Sequence, residues 1–196
     1  MANGTMAALA ILLVLLIALA ALLARPLLRR RRLRTRFGPE YDRAVERAGG
    51  RTEGERDLLD REREHRDLPL RELTPEARAR HTAEWEAVQE EFVDRPEAAV
   101  AHADDLVTRV MRDRGYPTDG PEARLRILSV EHAHTLDGYR HAAAVRTGGA
   151  AAGPEQTEDL RAALLHYRTL FRELTATSGP AHAEKHAPRA DRPRAA

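Results

Sequence analysis

Nine histidines in a chain with no cysteine raise the question of metal chemistry first, and His132, His134 and His141 are the tightest group. On a helix, positions 132 and 134 diverge by about 200°, while 134 and 141 share a face two turns apart. No two of the three have the i, i+4 spacing that lets two imidazoles grip one ion, and no thiolate is available. They read as solvated or core-edge histidines, and the expected metal ligands are none. The carboxylate pairs Glu90-Glu91 and Asp104-Asp105 point to different sides of a helix. With no catalytic partner beside them, they read as solvated faces. The chain has no P-loop, dinucleotide-binding glycine turn, nucleophile elbow or His-Glu-x-x-His, so the expectation is a non-enzyme with no catalytic or cofactor-binding residues and no cofactor. Arg114-Gly115-Tyr116-Pro117 is the one string suited to a recognition surface. Its plainer reading is a helix C-cap with Tyr116 packed back on the helix.

The elements that must carry these residues are helical throughout. No run alternates with period two, and β-branched residues are sparse. From Met6 to Ala24 nineteen residues carry no charge, amide or hydroxyl, and eight are leucine. As a helix they span roughly 28 Å, close to a bilayer's hydrocarbon thickness. Arg25, Arg29, Arg30, Arg31, Arg32, Arg34 and Arg36 follow, whereas Met1 to Thr5 has no basic group. The positive-inside rule then expects a single-pass anchor at the cell membrane, with the N-terminus outside and the C-terminal region cytoplasmic. The alternative is an exported soluble helical protein whose N-terminal signal is cleaved after Ala18-Leu19-Ala20. Against it stand the missing positive n-region, the length of the apolar run and the arginines that would have to cross.

Beyond residue 36 the chain carries 25 basic and 31 acidic groups. That acidic body argues against nucleic acid as a partner and against wholesale adsorption to an anionic leaflet. Only Arg25 to Arg36 is expected on the lipid surface, with no aromatic residues interleaved as a nucleic-acid patch would want. The absence of cysteine suits a reducing compartment. Thirty-one of the 32 basic residues are arginine, which reads as the codon bias of a high-GC bacterial genome.

Gly38-Pro39 breaks the helix that leaves the anchor, and a short helix runs to about Ala48 before Gly49-Gly50. Thr52-x-x-Glu55 reads as a capping box opening a segment to about Asp67. Its only apolar residues are Leu58 and Leu59, so residues 25–73 are expected to form a basic juxtamembrane segment and a solvated, charged helical stalk. A small helical bundle is expected over 74–175. It opens at Thr74-Pro75 with His81, Trp85, Val88 and Phe92 on one face. Asp94-x-x-Glu97 starts a second helix, closed by Gly115, with Val100, Ala103, Leu106, Val107, Val110 and Met111 apolar. A short piece with Leu125 and Leu128 follows, then a helix with Leu136, Tyr139 and Ala143. A linker spans Thr147 to Pro154. The last helix repeats Leu160, Leu164, Tyr167, Phe171 and Leu174 at four-three-four-three. Residues 176–196, rich in Ala, Pro, His and Arg, are expected to be disordered.

Aligned in this way, the chain resembles a family of uncharacterised bacterial single-pass membrane proteins. The likeness rests on Arg36-Phe37-Gly38-Pro39-Glu40-Tyr41-Asp42-Arg43 after the anchor, Phe92-Val93-Asp94-Arg95-Pro96, and Arg114-Gly115-Tyr116-Pro117. Ser129-Val130 and His166-Tyr167-Arg168 extend it to roughly residues 6–174. The chain departs at Glu131-His132-Ala133, where the family tends to have Asp-His-Pro. The resemblance implies a membrane-anchored helical protein and brings no activity with it. The expected function is a protein-interaction module at the cytoplasmic face of a bacterial inner membrane. It would bind a protein partner or itself as a homo-oligomer, because about a hundred residues with so few large apolar side chains make a thin core.

Overall fold

The computed structural model describes residues 2–149 and 154–176; within these, the side chains of residues 2–11, Val14, Ala18, Ala20, Ala21, Leu23 and Pro154 are not described. Every regular element among the described residues is helical. They are α1 (Ala2–Phe37), α2 (Pro39–Arg47), α3 (Arg51–Asp67), α4 (Pro75–Asp94), α5 (Pro96–Asp113), α6 (Pro121–Glu131), α7 (Leu136–Ala144), a π-helical turn (Val145–Gly149) and α8 (Pro154–Thr175). Among the described residues no helix is long and apolar enough to cross a membrane. The expected span, Met6–Ala24, falls in part on side chains outside the described residues, as do the expected linker at 150–153 and nearly all of the expected tail. The chain divides into two compact units, Met1–Glu62 and Arg63–Ala196.

In the first unit α1 continues unbroken through the arginines and contains Pro26. It ends where Gly38 takes φ 49°, and Pro39 opens α2 at its first position, which needs no amide hydrogen there. Among the described residues its buried apolar side chains are Leu33 and Phe37 of α1, Tyr41 and Ala44 of α2, and Leu58 of α3. A Cβ at Gly54 would stand 2.7 Å from the Val45 Cα and 3.0 Å from the Ala44 carbonyl carbon. Only glycine lets α2 and α3 approach this closely, and that outweighs its helix-weakening entropy.

The expected solvated stalk needs correction here. Gly54, Glu55, Leu58, Arg61, Glu62 and His65 are all buried, and their spacing draws one continuous stripe along α3. The stripe is made of charges, so an apolar count does not see it. Nor does Glu55 complete a capping box with Thr52. Its carboxylate accepts from Tyr41 Oη at 2.9 Å and from Arg29 at 2.8 Å.

The second unit has the larger apolar core. Helix α5 contributes Ala99, Val100, Ala103, Leu106, Val107, Val110 and Met111, and packs against α4 and α8, while α7 packs against α8. Trp85 of α4 stacks on Phe171 of α8, centroids 4.9 Å apart and planes 21° apart. Thr74 caps α4 as expected, accepting from the Ala77 amide at 3.1 Å. Asp94, by contrast, ends α4 rather than capping α5, whose N-cap is Arg95 with no side-chain bond. In α7 the buried alanine is Ala142, not Ala143. The extended segment 69–74 lies over the end of α5. The Arg71 amide donates to the Arg114 carbonyl at 3.0 Å, and a Cβ at Gly115 would stand 2.7 Å from the Pro69 oxygen.

Candidate functional site

The first unit concentrates its charge chemistry at the base of α1. Helical spacing places Arg29, Arg32 and Arg36 on one face. There Arg29 pairs with Glu55 at 2.8 Å, and Arg32 and Arg36 both reach Glu62, at 2.8 and 3.2 Å. The two glutamate side chains are 6 % and 4 % exposed, whereas Arg29 and Arg32 remain about half exposed. Each guanidinium thus neutralises a buried carboxylate while keeping part of its own hydration. Burial alone would raise the Glu55 pKa, but the hydrogen bonds from Arg29 and Tyr41 bring it below the usual carboxylate value. The Tyr41 phenol is held above its ordinary value by burial and by Glu55. On the neighbouring side, Arg34 pairs with Asp42 at 3.0 Å and lies 5.0 Å over the Tyr41 ring. Arg25 and Arg31 have no such partner among the described residues. The basic run is therefore not one electrostatic unit.

The second unit holds a buried polar cluster. Asp104 is buried on α5, where a solvated carboxylate is expected from the sequence; only its neighbour Asp105 is exposed. The reason is register: Asp104 shares a face with Val100, Val107 and Met111. Arg146 comes within 3.2 Å of it and Arg124 within 3.9 Å, and Arg124 also donates to Thr108 Oγ1 at 2.6 Å. Tyr139 and Tyr167 stand edge to face beside it, centroids 5.8 Å apart. Burial first, then the Asp104 carboxylate, pushes the Tyr139 phenol up to about 12 and raises that of Tyr167 as well. Both hydroxyls stay protonated at neutral pH, suited to donating rather than to taking a proton. One buried carboxylate ringed by two phenols and two guanidiniums, of which only Arg146 reaches solvent, is chemistry for locking helices together.

The remaining candidates disperse. His132 Nδ1 lies 2.6 Å from Glu173, which Thr135 also contacts. His134 and His141 are exposed, and His141 faces His166 of α8 across 5.8 Å instead of joining the other two. No group of three potential ligands able to hold a metal ion occurs among the described residues. Burial, then the charge of His141, lowers the His166 pKa, and that ring lies directly over Gly138, where a Cβ would collide with it. His81 is buried with Trp85 and Val88 as the helix face expects, and binds Asp113 at 2.9 Å. Glu91 is spent on Arg95 and His102, at 2.8 and 2.5 Å.

Arg114-Gly115-Tyr116-Pro117 forms the expected cap: Gly115 has φ 87°, and the Tyr116 amide donates to the Met111 carbonyl at 2.9 Å. Tyr116 is buried, with its hydroxyl on Glu131. Arg114 donates to the Leu174 carbonyl at 2.9 Å, satisfying the end of α8. The periodicity that places Asp104 was present in the sequence. The Glu55 and Glu62 stripe had a weaker signal, charges at helical spacing around Leu58. Compared with family models, with curated proteins and with solved structures, the chain matches none.

Proposed function

We propose that the chain is a membrane-anchored helical interaction module of a bacterial inner membrane. In this reading α1 crosses the bilayer between Met6 and Ala24, the side before Met6 faces outward, and the chain from Arg25 onward is cytoplasmic. The observation that carries it is the surface of α1. Leu12, Leu13, Leu15, Leu16, Ile17, Leu19 and Leu22 are each 52–60 % exposed and, at helical spacing, spread over more than half of the helix circumference. Left in water, seven half-uncovered side chains forgo roughly 5–10 kcal/mol of burial. Hydrocarbon removes that penalty, and a helix satisfies its own backbone there. The asymmetry of arginines supports the orientation. Engagement of the buried histidines and carboxylates in helix-to-helix pairs favours a scaffold over a catalyst.

The experiment is fractionation of the natively produced protein with a reporter fused after Ala196. Retention in membranes through alkaline carbonate washing and activity of a cytoplasm-dependent reporter are the expected results. Recovery in the wash, an N-terminus near Ala21, or an active periplasmic reporter would overturn the reading.

A further inference from the structure

The arginines of α1 fall on two faces, and only one of them serves the fold. Leu33 and Phe37 are buried, and Arg29, Arg32 and Arg36 meet the α3 glutamates beside them. The opposite face carries Ala24, Leu28 and Arg31 at spacings of four and three, with Leu27 alongside. Leu27 and Leu28 are 65 % and 63 % exposed, and Arg31 is exposed with no carboxylate partner among the described residues. A shallow groove of about 550 Å³ runs along this face, edged by Arg30 and Arg34.

We propose that this face binds one anionic phospholipid, its acyl chains along Leu27 and Leu28 and its phosphate on the Arg31 guanidinium. The inference rests on the membrane-anchor reading and adds to it. Two features choose this occupant. The groove continues the apolar run, so Leu28 lies about 6 Å beyond Ala24 and Arg31 about 4.5 Å further along the axis. That depth is the headgroup layer. Charge complementarity supplies the second: Arg29, Arg32 and Arg34 are spent on Glu55, Glu62 and Asp42 and Arg30 on the Tyr41 hydroxyl, leaving Arg31 for an external anion. The α3 glutamates thereby confine lipid recognition to one side of the helix, where a fully unpaired run would attract headgroups all round.

The test uses the full chain reconstituted in nanodiscs of phosphatidylcholine and phosphatidylglycerol in equal parts. Native mass spectrometry then reads the lipid that stays bound on release. Phosphatidylglycerol should be retained over phosphatidylcholine. Arg31→Gln should lower that preference about fivefold, the effect of ~1 kcal/mol per arginine at an anionic surface. Arg32→Gln, which removes a guanidinium already on Glu62, should leave it unchanged. An equal loss in both variants, or in neither, would overturn the site while leaving the anchor standing. So would a dimer of chains with this face covered and no lipid retained. A chain that enters nanodiscs of neither lipid would sink the anchor itself.

Discussion

The two units of the chain bury helices with different materials. The second fills its interior with branched and aromatic side chains around α5, with Trp85 stacked on Phe171, and among its described residues buries one carboxylate, Asp104. The first buries Glu40, Glu55 and Glu62 around only five apolar residues among those described, joining α1 to α3 through guanidiniums. A buried carboxylate is costly unless its partner is close and its lone pairs are filled. Glu55 meets this with Arg29 and Tyr41; Glu62 accepts a hydrogen bond from Arg32, and its other oxygen has the Arg36 charge at 3.2 Å without a hydrogen bond. Because those arginines keep one side in water, only half of each pair is desolvated. An arginine-rich helix can in this way be docked without a conventional core. Burial in this protein is thus not a proxy for hydrophobicity.

The sharpest way to break the contrast is to remove an aromatic from the second unit. Trp85→Ala or Phe171→Ala should destabilise that unit by about 3–5 kcal/mol, a large share of the ~5–15 kcal/mol of an ordinary domain. In the full chain, wild-type tryptophan emission should be blue-shifted. Phe171→Ala should move it red and lower the denaturation midpoint. A midpoint unchanged in both variants would mean that the stacked pair does not support the core.

A middle-sized effect tests whether the first unit depends on backbone proximity as much as on charge. Gly54→Ala gains helix propensity but places its Cβ against the Val45 backbone. Contact with backbone cannot be relieved by a rotamer change, so a loss of about 1–3 kcal/mol is expected. Hydrogen exchange should show it as lost protection in α2 and α3, with α4 to α8 unaffected. Slower exchange in the variant would show that the helices can part without cost.

These two regions also differ in how readable they were. Helix ends were legible because they are local: Gly38-Pro39, Thr74-Pro75 and the Gly115 cap each act within a few residues. The faces of α4, α5 and α8 followed from apolar spacing alone. Glu55 and Glu62 were not legible, because their partners Arg29 and Arg32 lie 26 and 30 residues away. No local pattern distinguishes a paired glutamate from a solvated one. Asp104 is intermediate, since its register marks it for burial while the arginines that tolerate it arrive from α6 and the turn after α7. The pairing of His141 with His166 was hidden for the same reason.

The smallest effect separates the units by acid. In the second, the His166 pKa is lowered by burial and by His141 from 6.5. The unfolded chain therefore takes up this proton at higher pH than the folded one, so stability falls as pH drops below 6.5 and levels off below the folded value. In the first unit the Glu55 pKa is depressed from 4.5, because its arginine and tyrosine partners outweigh its burial. Its contribution is fully present above 4.5 and is lost only as pH falls through the folded value. Mild acidification should thus loosen the seam of α7 and α8 while α2 and α3 hold. Hydrogen exchange at pH 7, 6 and 5, corrected for intrinsic rates, should show protection falling first in 136–144 and 160–174. His166→Gln, which carries no titrating charge, should flatten that dependence. Earlier loss in α2 and α3, or an unchanged slope in the variant, would assign the acid response to other groups.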